Sequence, residues 1–128
     1  MNEVLLDSNV LLRHFLQDIP TQAQEATELI EAIENGNKVG YISILVINEV
    51  IWILKRFYKI ERKDYIPQLL KILQINNIKV IEIKKDSLNQ ILERMKKREI
   101  DFTDIYLSAI AENRKIVSFD KDFGKLGN

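Results

Sequence analysis

The chain holds 128 residues, 46% hydrophobic and 30% charged, with 19 basic and 19 acidic side chains, no cysteine and one histidine. That balance marks a folded globular chain, and the neutral total supplies no general attraction to nucleic acid. Without cysteine, disulfides, thiolate zinc centres and cysteine nucleophiles are excluded; with His14 alone, so is a multi-histidine metal site.

In chain order, Glu3-Val4-Leu5-Leu6 reads as a short buried strand ending at Asp7. Asn9 to Gln17 reads as a helix. Residues 21–34 form a clearer one, with Ala26, Leu29, Ile30 and Ile33 at i, i+3, i+4, i+7, Pro20 near its start and Gly36 past its end. Val39 to Ser43 is a short strand. Ile44 to Tyr58 is apolar nearly all round and too long for a strand, so a buried helix is expected. Lys63 to Gln74 presents Ile66, Leu69, Leu70 and Leu73 on one helical face, with Pro67 weakening the pattern at its start. Ile78 to Ile83 is a strand, Asp86 to Lys97 a helix, Thr103 to Asn113 a helix, and Lys115 to Phe119 the last strand.

Short hydrophobic strands alternating with helices predict an α/β fold, a parallel sheet covered by helices on both faces. The helix pair at 44–74 has no strand between its members and is expected as a lobe on one side. No repeat or flexible linker divides the chain, so residues 1–128 read as a single domain. Residues 1–7 are too short and polar for a secretory signal. The apolar stretch from Ile44 to Leu54 is about half the length that spans a bilayer. A cytoplasmic protein without a membrane span is expected.

In open α/β sheets, ligands bind beyond the carboxyl ends of the strands. Two strands run into aspartates there, Asp7 and Asp120. A lone strand-end aspartate more often caps the following helix; two at equivalent ends favour a site. Glu49 lies within Ile44 to Leu54. If buried there, its carboxylate needs a cation, a metal or a proton; otherwise Asn48 and Glu49 mark the one solvent-facing stripe. Both readings stand. Asp101 and Asp104 flank Phe102-Thr103 at a helix start, where capping and the helix dipole alone account for acids. Asp122 suits a turn. Taken together, carboxylates around one crevice suit a hard, oxygen-loving cation, Mg²⁺ or Mn²⁺, which sharpens water as a nucleophile and stabilises charge on a phosphate.

Four segments carry a family resemblance. Leu5-Leu6-Asp7-Ser8-Asn9-Val10-Leu11-Leu12-Arg13 resembles the opening of PIN-domain proteins. Ile42 to Val50, with Glu49, is similar to their second motif, Asp101 to Ala109 to their third, and Val117 to Phe123 to their fourth. Compactness and motif style are most similar to the VapC toxins of toxin–antitoxin pairs. The resemblance implies a three-layer α/β/α sandwich around a mainly parallel sheet of four to five short strands. It also implies an endoribonuclease dependent on Mg²⁺ or Mn²⁺. Asp7, Glu49, Asp104 and Asp120 would be the catalytic, metal-binding acids, leaving 5′-phosphate and 3′-hydroxyl ends on the RNA. Ser8 and Asn9 would orient Asp7, Ser118 would serve the fourth motif, and Asp101 and Asp122 would be supporting acids. Tyr106 and Ser118 depart mildly from the pattern, where a small residue and a threonine are usual.

The resemblance further implies a homodimer and a VapB-like antitoxin that fills the groove. Trp52, Phe57 and Tyr58 line such a surface or, as aromatics more often do, the core. Arg13 is a phosphate contact or an ordinary surface arginine; Lys96-Lys97-Arg98 is the better basic rim. A haloacid-dehalogenase-type phosphatase needs an acid where Asn9 stands, and a receiver domain needs an acidic pair before Asp7 that is absent. The remaining alternatives are an RNA-processing PIN nuclease outside a toxin–antitoxin pair and a non-catalytic PIN-like binding module.

Overall fold

The computed structural model describes residues 2–119. Three parallel strands, β1 (Asn2–Leu5), β2 (Lys38–Ile42) and β3 (Ile78–Val80), form a sheet in the order β1-β2-β3. Register pairs Leu5 with Tyr41 and Ile42 with Val80, so all three carboxyl ends open on one edge. Six helices flank the sheet: α1 (Ser8–Leu16), α2 (Pro20–Glu34), α3 (Ile44–Arg56), α4 (Arg62–Leu73), α5 (Lys85–Lys97) and α6 (Phe102–Ile110). This is the α/β architecture expected from the alternation of strands and helices.

Gly40 lets the second layer approach. It lies in the central strand, paired with Val4 and Ile78. A Cβ there would stand 2.6 Å from Ile33 Cδ1 of α2 and 3.1 Å from Ile78 Cδ1. Only glycine leaves room for Ile33, which is fully buried. The core continues through Leu6, Leu11 and Leu12, the inner faces of α3 and α4, and Leu88, Ile91 and Leu92 of α5. Each such leucine or isoleucine contributes about 1.5–3 kcal/mol by leaving water. α4 runs through Pro67 without a break, because Ile66, Leu69, Leu70 and Leu73 bury on one stripe.

Three expectations are corrected. Lys115 to Phe119, expected as the last strand, carries no strand structure, and Val117 is 88% exposed. Among the described residues the sheet has three strands. Apolar composition alone favours a strand at 115–119, but a strand exists only through its ladder partner. Next, α3 is not buried all round. Ile44, Ile47, Val50, Ile51 and Leu54 face inward, whereas Leu45, Asn48, Glu49 and Trp52 recur at i, i+3, i+4, i+7 on an exposed stripe. High apolar content hid an ordinary amphipathic helix. Finally, Trp52, Phe57 and Tyr58 are surface residues, Trp52 being 53% exposed and in edge contact with Phe57 at 5.4 Å between ring centres. Once one stripe of α3 fills the core, Trp52 falls outside it.

Candidate functional site at the carboxyl edge of the sheet

Each strand hands over to a polar group at the same edge. β1 passes through buried Leu6, whose N–H donates to Tyr41 O at 2.9 Å, into exposed Asp7 at the start of α1. The backbone of Asp7 is extended (φ −81°, ψ 159°), as an N-cap requires, yet its side chain makes no capping hydrogen bond. The carboxylate is thus held at the helix mouth with its oxygens uncommitted to the cap, and the simple capping explanation does not account for it. Ser8 behind it is buried, while Asn9 is exposed.

β2 passes into Ser43, the N-cap of α3, whose Oγ accepts from Leu45 N at 3.1 Å. Ser43 Oγ in turn donates to Glu82, and Ile44 N donates to Glu82 Oε1 at 2.8 Å. Glu82 follows β3 and closes the N-terminus of α3 from the neighbouring strand. Partial burial pushes its pKa up, but the hydrogen bonds from Ser43 and the Ile44 amide outweigh that and hold it below the ordinary 4.5. This residue is missing from the motif-based set. The strand expected from the sequence runs to Ile83 and so takes in Glu82; β3 ends at Val80, which leaves Glu82 past a strand end, as Asp7 is.

Glu49 is exposed on the outer stripe of α3, so no buried charge there demands a partner. Beside it, Asn48 Oδ1 accepts from Thr103 Oγ1 at 3.3 Å. That bond joins α3 to the start of α6, where half-buried Asp104 lies in the first turn and exposed Asp101 is the N-cap. Like Asp7, Asp101 makes no capping bond with its side chain; it stands 3.9 Å from Lys55 Nζ. Phe102 and Tyr106 stack with their planes 9° apart, which accommodates the tyrosine after the acid. α1 also packs on α3, so α3 is the common neighbour of the elements that carry Asp7 and Asp104.

A cleft of about 350 Å³ opens between α3 and α6, lined by Asn48, Trp52, Lys55, Asp101, Thr103 and Asp104 among others. Arg62 borders it and fixes its floor: Nη1 donates to Met95 O, Arg98 O and Ile100 O at 3.1, 2.6 and 2.9 Å. Arg13 is not an ordinary surface arginine: its side chain is 14% exposed, 3.2 Å from Asp18 and near the Tyr58 hydroxyl. Ser118 is exposed on the segment without strand structure. Asp120 and Asp122 lie outside the described residues. Among the described residues no three His, Asp or Glu side chains converge closely enough to hold a metal ion. The donors near α3 and α6 are all oxygens, the chemistry a hard dication takes.

Comparisons with known proteins agree in direction. The PIN domain family profile matches residues 4–128. Ribonuclease VapC2 of Methanocaldococcus jannaschii is 27% identical, the alignment covering 98% of this chain and 89% of that protein. No solved structure gives a significant match. Among the described residues, no helix is long and apolar enough to cross a membrane.

Proposed function

Because the chain belongs to the PIN domain family, we propose that it is an endoribonuclease dependent on Mg²⁺ or Mn²⁺ that cleaves RNA phosphodiesters as the toxin of a toxin–antitoxin pair. The relative named Ribonuclease VapC2 supports the reaction class. The observation that carries the reading is the Asn48–Thr103 hydrogen bond, which ties the neighbour of Glu49 to the neighbour of Asp104 on the helix against which α1, behind Asp7, also packs.

Asp7, Glu49, Asp104 and Asp120 would hold the cation. When bound, the ion supplies an activated water and offsets the charge that develops on the phosphate. The chain's own groups do the positioning. Buried Ser8 fixes the start of α1 behind Asp7, and exposed Asn9 offers a polar contact to solvent or substrate beside it. Asp101 is partly balanced by Lys55, which lowers repulsion between that carboxylate and an incoming phosphate. Asp122 and Ser118 stay in the proposal as supporting groups of the fourth motif.

The proposed partners are RNA, a VapB-like antitoxin and a second copy of the chain. Exposed Leu45, Trp52 and Phe57 supply apolar area for a protein contact. The proposed setting is the cytoplasm, where a cysteine-free chain has no thiol chemistry at stake.

The test is RNA cleavage by wild type and by Asp7→Asn, each with Mg²⁺ and with EDTA. Cleavage by the wild type with Mg²⁺ alone is expected, with Asp7→Asn slower by about 100-fold or more, as loss of a charge-stabilising group commonly gives. Equal cleavage in every condition, or none across varied RNAs, contradicts the reading.

A further inference from the structure

A second groove, of about 680 Å³, adjoins the cleft between α3 and α6 and shares Lys55, Arg62 and Tyr65 with it. Its walls are the turn from Lys59 to Glu61, the start of α4, and the end of α5 with the residues after it. Seven basic side chains line it against two acidic ones, Glu61 and Glu99. In a chain whose formal charge is zero, this is a strong local excess of positive charge.

The basic groups are unequal. Arg62 is spent on three backbone carbonyls and builds the wall. Lys63 and Lys96 stand 4.0 and 3.8 Å from Glu61 and Glu93 in exposed pairs, which are worth little and yield readily to a stronger anion. Lys59 and Lys97 have no ion pair among the described residues. At the far end, Trp52 lines the cleft between α3 and α6 with half its surface exposed.

We propose that this groove is the track for the phosphate backbone of a single-stranded RNA, leading the strand into the cleft that holds Asp101 and Asp104, with a base stacked on Trp52. The inference rests on the nuclease reading and adds the path by which substrate enters. Backbone neutralisation by lysines needs no sequence, and an aromatic face accepts any base. An acidic protein segment would use the lysines but not the aromatic face or the junction with the acids.

The experiment measures binding of a fluorescein-labelled single-stranded RNA of about 20 nucleotides in EDTA, from about 50 to 200 mM KCl. The wild type is compared with Lys63→Glu/Lys97→Glu, which touches both walls, and with Lys79→Glu/Lys84→Glu, two exposed lysines that line neither groove. Circular dichroism melts establish that all three fold. The groove variant is expected to bind at least about ten-fold more weakly and to flatten the slope of log K against log salt by about 1.4, two phosphate contacts on a single strand. The other variant should stay within about two-fold of wild type.

Unchanged affinity and slope in the groove variant, an equal loss in the other variant, or no RNA binding by the wild type overturns the track. So does polyglutamate that displaces the RNA as well as unlabelled RNA does. Cleavage in Mg²⁺ separates the two levels. A wild type that cleaves while the groove variant binds normally removes the track alone. Groove-dependent binding without any cleavage removes the nuclease reading alone.

Discussion

Glu82 has the clearest physical signature of any single residue near the site. Its hydrogen bonds from Ser43 and from the Ile44 amide favour the ionised form. With a folded pKa below the ordinary 4.5, its contribution is fully present above about pH 4.5 and fades as pH falls through the folded value. Glu82→Gln should therefore lower stability near neutrality and flatten the loss of stability on acidification. Urea unfolding from pH 6 to 3 checks this, and parallel curves for variant and wild type would count against it. Little of this was legible in the sequence. Asp7 stood out because a recognisable motif surrounds it, whereas Glu82 acts on a residue 38 positions away, and only strand pairing brings them together. Asp7 was legible as a residue but not in its bonding: cap preference alone predicted a bond that the side chain does not make.

The connection between α5 and α6 sets where the third-motif acids stand. Ile100 is buried just before Asp101, and Arg62 reaches from α4 to hold Arg98 O and Ile100 O of this segment together with Met95 O in the last turn of α5. Hydrogen bonds from a charged donor to partly buried carbonyls are worth about 1.5–3 kcal/mol each at most. Arg62→Ala should destabilise the chain by about 2–4 kcal/mol, less than their sum because water reaches Arg98 O. It should also raise amide exchange across 98–104 more than in the sheet. Urea titration and hydrogen exchange report both; uniform exchange changes would mean that Arg62 acts on the whole fold. All six helices were legible, α2, α4 and α5 from one apolar stripe each. Periodicity failed on α3, where the exposed stripe is itself half apolar in Leu45 and Trp52, so composition concealed which side faces water. It failed again at 115–119, because a strand is a property of two segments and only one was in view.

At the scale of the whole molecule, zero net charge conceals a strongly basic groove, which meets the cleft holding Asp101 and Asp104 at Lys55 and Arg62. The run Lys96-Lys97-Arg98 announced half of that groove; the other half, Lys59 and Lys63, joins it only when α4 packs on α5. The acids follow the same rule. Asp7, Glu49, Asp104 and Asp120 are spread over more than a hundred residues, and α3 is the element around which the first three are arranged. The central proposal is that these four act as one set. Mn²⁺ titration followed by electron paramagnetic resonance tests it directly, on the wild type and on Asp7→Asn, Glu49→Gln, Asp104→Asn and Asp120→Asn in turn. Each substitution should weaken Mn²⁺ binding and RNA cleavage together, by about 10-fold or more in affinity, since each removes a charged donor from a shared ion. A variant at any of the four positions that binds Mn²⁺ and cleaves RNA like the wild type would contradict the set.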